Sequence, residues 1–379
     1  MPDVLMGIAK AGLKQSPEPD LLVVLLPVRS IASFLFTDNF FKSGSVIYSE
    51  ETFKKNRNIR AFVVNSGNAN CGTGKEGIKH ARQIAERTAL KLKLKPEEVL
   101  VFSTGIIGKP LPIEKVLIAV DKACSSLEPL DLKKASQVIT TTDSFPKFDF
   151  IEKRKVKTFG FAKGAGMIAP SMATMLAFVF TEAFVEFEKL RVIHKKINEK
   201  TFNSITVDGC KSTNDSFALI CIGNKKAPLS SVEKDILQIA ESLAKKIVED
   251  GEGASRVIKI TVKGADSSKK AKEIAKAVAN SLLVKTAVYG KDPNWGRIAA
   301  AAGSTTFPID PFKLEIRIGE YTLYEGKPLP FSEESVRRYL QEEKEVEIIL
   351  DLKEGKNDWT YYSSDLGYEY VKINAEYST

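Results

Sequence analysis

The sequence predicts an α/β protein built as two or three domains. Three observations carry that. Apolar runs of strand length recur at 21–26, 61–64, 99–102 and 175–180, each bounded by turn-forming residues. Between such runs lie segments whose apolar residues repeat at helical spacing, such as Ile78, Ala81, Ala85, Ala89 and Leu92 within 77–92, the mark of a helix that buries one face. The 379 residues, 43% hydrophobic and 27% charged, are enough for several buried cores.

Taken in order, the run 21–26 ends at Pro27 and 31–36 leads into Thr37-Asp38-Asn39. The strand at 61–64 runs into Asn65-Ser66-Gly67-Asn68-Ala69-Asn70-Cys71, which reads as a polar loop. In the helix 77–92, His80 stands about 200° from Ile78 at roughly 100° per residue, so it is expected to face solvent. The strand 99–102 ends in Ser103-Thr104-Gly105-Ile106-Ile107-Gly108. A Thr-Gly turn there presents a hydroxyl and a backbone N–H, the two donors an oxyanion hole needs; an ordinary β-turn reads the same way.

Further on, Thr140-Thr141-Thr142-Asp143-Ser144 reads as a hydroxyl-rich turn. The stretch 163–183 opens as a loop with Gly164, Gly166 and Pro170 and becomes an apolar strand at 175–180. Thr174 stands at that junction, either as a nucleophile or as a plain loop-to-strand residue. Helices are expected at 186–200, 232–248, 269–281 and 332–341, with His194 packed at the edge of the first. Strands are expected at 216–223, 256–263, 313–318, 321–324, 346–352 and 360–364. Asp250-Gly251-Glu252-Gly253 closes the helix 232–248 as a glycine stop.

Composition excludes several classes. The net charge of +8 comes from 56 basic and 48 acidic residues, with Lys scattered rather than clustered, so no nucleic-acid partner is expected. No apolar run approaches the ~20 residues of a membrane span, and the start lacks a signal segment; the expected location is the cytoplasm. Cys71, Cys124, Cys210 and Cys221 form no Cys-x-x-Cys pair, and His80 and His194 stand far from them, so no metal is expected.

The segment Lys163-Gly164-Ala165-Gly166-Met167-Ile168-Ala169-Pro170-Ser171-Met172-Ala173-Thr174-Met175-Leu176 resembles the self-cleavage and nucleophile segment of the ornithine acetyltransferase family, with Ala165 and Ser171 at variable positions. Other segments resemble the same family. They are the run 65–70, Ser103-Thr104-Gly105, the run 141–147, Thr206-Val207-Asp208-Gly209, Ser212-Thr213-Asn214-Asp215, Leu283-Val284-Lys285-Thr286-Ala287, Asn294-Trp295-Gly296-Arg297-Ile298 and the tail from Tyr370 to Thr379. Ser144 replaces a usual Thr, and Cys210 stands where many members have Asp.

The resemblance implies a fold of stacked β-sheets flanked by helices, an αββα arrangement of the N-terminal-nucleophile type. It implies a cut between Ala173 and Thr174, giving chains 1–173 and 174–379 that stay together and pair as a heterotetramer of two of each. Thr174 would be the nucleophile, and Thr104 and Gly105 the oxyanion donors. Thr141, with Thr142 as neighbouring candidate, Lys163, Glu252, Asn374 and Thr379 would bind substrate. The implied domains are 1–185, 186–280 and 281–379.

The implied reaction moves the acetyl group from N-acetylornithine to glutamate by a ping-pong route through acetyl-Thr, in arginine biosynthesis, with no cofactor. Acetyl-CoA-dependent acetylation of glutamate is a second activity left open. An N-terminal-nucleophile aminopeptidase or amidase of related fold is the alternative enzyme, and a binding protein on the same scaffold the non-enzyme. The chemistry agrees with what is missing. A Ser-His-Asp site needs a placed His, and both histidines fit packing or surface roles better. A Thr freed at its own N-terminus brings an α-amino group of pKa about 7.7–8.0 as its base.

Overall fold

The computed structural model describes residues 3–169 and 175–376. Two five-stranded sheets stack face to face. The first has the order Val99–Ile106, Ala61–Asn68, Leu21–Leu25, Leu5–Ala9, Glu128–Pro129. The second has the order Ile31–Phe36, Ser216–Lys225, Leu176–Ala183, Val156–Lys163, Lys147–Lys153.

Strand alternation explains the layers. In Ala61–Asn68, Phe62 and Val64 point between the sheets, while Ala61 and Val63 point to the outer helices. In Leu176–Ala183, Leu176, Phe178 and Phe180 face the first sheet, and Ala177 and Val179 face outward. Both faces are covered, so these strands read as unbroken apolar runs. Between the sheets, Phe62 stacks on Phe178 at 4.7 Å between centroids, and Phe102 meets Phe178 edge-on at 5.5 Å. Helices Gly74–Leu92 and Ile113–Ser125 cover the first sheet through Ala81, Ile84, Val116 and Val120. Helices Phe187–Lys200 and Leu229–Glu249 cover the second through Leu190, Ile197, Ile239 and Leu243. The αββα arrangement is therefore present.

A third, six-stranded sheet has the order Ile205–Thr206, Asn357–Ser364, Val257–Ala265, Glu345–Asp351, Glu315–Ile318, Tyr321–Glu325. Helices Ser268–Asn280 and Trp295–Gly303 pack against it around a core of its own. The division at 185 falls within the second layer, since Ser216–Lys225 lies beyond it, and Val257–Ala265 joins the third sheet ahead of residue 281.

Two expectations change. The strands at 61–64 and 99–102 run on to Asn68 and Ile106, because parallel pairing continues through Asn65 opposite Ser103 and Ser66 opposite Thr104. Their polar side chains bond one another. Ser103 Oγ donates to Asn65 Oδ1 at 2.6 Å, and Asn65 Nδ2 donates to the Asn68 carbonyl at 2.8 Å, so burial costs little. His80 is only 7% exposed rather than facing solvent. Helix Gly44–Lys55 packs on the Gly77 side of its helix, where a Cβ on Gly44 would lie 2.3 Å from the Gly77 carbonyl carbon. The helix is thus covered on two faces, and the periodicity of one apolar stripe does not report the second. His194 packs: it is fully buried, its Nδ1 lies 2.9 Å from Ser33 Oγ, and burial pushes its pKa down to about 3.

Among the described residues no helix is long and apolar enough to cross a membrane, and no cluster of metal-ligating residues occurs. All four cysteines are free thiols.

Candidate active site

A cavity of about 160 Å³ opens where the two stacked sheets end against the C-terminal helix. Thr104, Gly105, Thr141, Thr142, Lys163, Glu252 and Asn374 all line it. Ala173, Thr174 and Thr379 lie outside the described residues.

Each side chain arrives by a different element. Thr104 and Gly105 end the strand Val99–Ile106, and Lys163 ends Val156–Lys163. Gly105 has φ +128°, and a Cβ there would stand 2.3 Å from the Gly67 carbonyl carbon; only glycine fits. An amide framework holds this strand end. Asn214 Nδ2 donates to the carbonyls of Ala69 at 2.7 Å and Ser103 at 2.8 Å, and Asn70 Nδ2 donates to Gly77 O at 2.8 Å. The Asn-rich 65–70 segment is thus scaffolding for the Thr-Gly pair.

Lys163 joins the parts. Its Nζ donates to Thr141 Oγ1 at 2.8 Å and to Thr104 Oγ1 at 3.2 Å. An ammonium only donates, so both hydroxyls accept from it and keep their own hydrogens for another partner. Thr140 turns away and donates to the Gln137 carbonyl at 2.8 Å; Thr142 lines the cavity beside Thr141.

Beneath lies a buried ion network that sequence reasoning missed. Lys147, with 0% side-chain exposure, sits 2.7 Å from Asp143 and also pairs with Asp250. Burial opposes ionisation of Asp143, but Lys163 and Lys147 prevail and hold its carboxyl down to about 2. Burial pulls Lys163 below its ordinary value, against the raising effect of Asp143. Ser144 bonds the Asp250 carboxylate through both its N–H and its hydroxyl, so a Ser in place of Thr keeps that contact.

Lys147→Met should cost about 3–5 kcal/mol, because two buried carboxylates lose their shared cation. Guanidinium unfolding would measure it. Asp143 is depressed in the folded state, so its contribution is present above about pH 4 and disappears as pH falls through about 2. That acid loss should shrink in the variant. An unchanged unfolding midpoint would count against the network as a source of stability.

The chain flanking 170–174 is anchored on both sides. Asp143 Oδ1 accepts from Gly164 N at 2.6 Å, and Asp208 accepts from Met167 N at 2.6 Å and Ile168 N at 3.0 Å. On the far side Asp215 Oδ1 accepts from Met175 N at 2.9 Å. Burial pushes the Asp215 carboxyl well above its ordinary range. Glu252 packs against Gly166, where a Cβ would meet its carboxylate oxygen at 2.4 Å. The Glu252 Oε2 atom accepts from Asn374 Nδ2 at 3.0 Å. Tyr370 reaches the cavity one helical turn before Asn374 on Tyr368–Glu376. The sequence signal for it was that i,i+4 spacing. Cys210 is exposed at the cavity and Lys285 is buried outside its lining, donating to Ser363 Oγ at 3.0 Å.

Comparison with known proteins places the chain. The model of the ArgJ family matches residues 5–379. The arginine biosynthesis bifunctional protein ArgJ of Aquifex aeolicus is 62% identical over 379 residues, covering 100% of both chains. Its counterpart in Thermus thermophilus is 41% identical over 374 residues, covering 98% of this chain and 97% of that one. A solved structure, the arginine biosynthesis bifunctional protein argJ of Bacillus halodurans, is 38% identical with a TM-score of 0.52, and covers 54% of this chain and 100% of its own. The chain belongs to the ArgJ family.

Proposed function

We propose that this protein is an acetyltransferase of arginine biosynthesis that moves the acetyl group of N-acetylornithine to glutamate. The observation that carries this is one cavity holding Thr104, Gly105, Thr141, Lys163, Glu252 and Asn374 in a chain of the ArgJ family. The hydrolase alternative is not favoured, because the full-length relatives are bifunctional ArgJ proteins. As their name implies two activities, acetyl-CoA-dependent acetylation of glutamate is the second we assign.

The chain cuts itself between Ala173 and Thr174, and the new α-amino group serves as base for the Thr174 hydroxyl. Thr174 Oγ attacks the acetyl carbonyl. The Thr104 hydroxyl and the Gly105 N–H meet the charge that develops on oxygen. The tetrahedral intermediate collapses, ornithine leaves with a proton on its amine, and acetyl-Thr174 remains. The amine of glutamate then attacks this ester, and the bond from the acetyl carbon to Thr174 Oγ breaks. The proton the amine loses returns through the α-amino group to Thr174 Oγ as N-acetylglutamate leaves. Glu252 offers a carboxylate to the ammonium of an amino acid, and Asn374 holds that carboxylate in place. Water must stay out between the half-reactions, and Tyr370 on the C-terminal helix lines that side of the cavity. The chains 1–173 and 174–379 remain paired, two of each, in the cytoplasm.

Initial rates with both substrates varied should give parallel ping-pong lines, and mass spectrometry should find acetyl on chain 174–379 after donor alone. Intersecting lines with no acetylated chain would overturn the covalent route. Peptide hydrolysis without transfer would restore the aminopeptidase alternative.

A further inference from the structure

We propose that Asp143 is a positioning residue of the acetyl-transfer site, whose carboxylate keeps Lys163 an ammonium and so aims the Thr104 hydroxyl into the cavity. The inference rests on the acetyl-transfer reading above.

Asp143 sits at the centre of the local bonding. With 0% side-chain exposure, it accepts from Thr141 N at 3.0 Å, Gly164 N at 2.6 Å and Lys147 Nζ at 2.7 Å. The Lys163 Nζ atom lies 3.9 Å from Asp143 Oδ2, beyond a hydrogen bond but within strong Coulomb range. That separation matters, because the hydrogens of Nζ go to Thr104 and Thr141 rather than to the carboxylate.

The protonation state of Lys163 decides where the Thr104 hydrogen points. An ammonium has no lone pair, so Thr104 Oγ1 must accept and its hydrogen turns elsewhere. A neutral amine has a lone pair that would take the Thr104 hydrogen and turn the donor away from the developing oxyanion. Five titratable groups act on Lys163: Asp143, Lys147, Asp215, Glu252 and Lys14. Burial, Lys147 and Lys14 favour the neutral amine, and Asp143 is the largest influence favouring the ammonium. Asp143 thus acts through Lys163 and Thr104 without touching substrate.

The test is the pH dependence of kcat, measured on chains already cut. An opposite charge within about 4–6 Å moves a pKa by about 1–3 units. Asp143→Asn keeps the shape and leaves Lys147 its partner Asp250, and should move the alkaline limb of kcat down by about 1–3 pH units. A purely structural role would lower the thermal midpoint and leave the limb in place. Lys163→Arg provides a second reading should Asp143→Asn not fold. Its guanidinium keeps its proton throughout, so the alkaline limb should vanish even at a reduced rate. An unmoved limb in Asp143→Asn, or a limb persisting in Lys163→Arg, overturns the proposal while wild-type transfer stands. Absence of transfer in the wild type would instead overturn the assigned function.

Discussion

Thr174→Ala should leave the chain as one uncut band on a denaturing gel and abolish acetyl transfer. Removing the nucleophile of a hydrolase lowers kcat on the order of 10⁶, and this substitution removes both the attacking oxygen and the cut that frees its base. The flanks support an intramolecular cut. Met167 has φ +56°, a conformation a side chain rarely adopts, and its N–H is held by Asp208. On the other side Met175 N is held by the buried carboxyl of Asp215. Thr174→Ser keeps a hydroxyl and should still cut. A split between residues 173 and 174 in Thr174→Ala would show that some other group cleaves the chain.

Much of the fold was legible because its strands are covered on both faces. Phe62, Val64, Phe178 and Phe180 stand in unbroken apolar runs, and such runs in this chain have no other stable place than between layers. The strand ends were less legible. Asn65, Ser66 and Ser103 look like loop residues by polarity, yet they pair across the sheet and satisfy one another. Hydropathy records the cost of burying a polar group but not the partner that offsets it. His80 is buried for a related reason, since helix Gly44–Lys55 approaches closely at Gly77 on that side of its helix.

The site was legible as wording more than as chemistry. Thr104, Lys163, Glu252 and Asn374 came from a family resemblance; taken singly, each fits a turn or a solvated surface. The ion network beneath was not legible at all. Lys147 and Asp250 lie 103 residues apart, and nothing local in either segment announces the other. The layered fold brings them together into one buried pair beneath the cavity.

Thr104→Ala should lower kcat by about 10²–10³, roughly 2.7–4 kcal/mol of transition-state stabilisation. Thr104 is 2% exposed and its oxygen accepts from Lys163 at 3.2 Å, so its hydrogen is left for another partner. Charge on the acetyl oxygen exists only in the transition state, so kcat and kcat/KM should fall together while ornithine binding stays nearly unchanged. Thr104→Ser keeps the hydroxyl and should recover most of the rate. Glu252→Gln should behave differently, weakening amino-acid binding first, because its carboxylate lines the cavity and accepts from Asn374. Self-cleavage can use the same donors, so the comparison requires chains shown by mass to be cut. A Thr104→Ala enzyme with raised KM and intact kcat would make Thr104 a substrate contact, and the oxyanion donor would then lie elsewhere in the cavity.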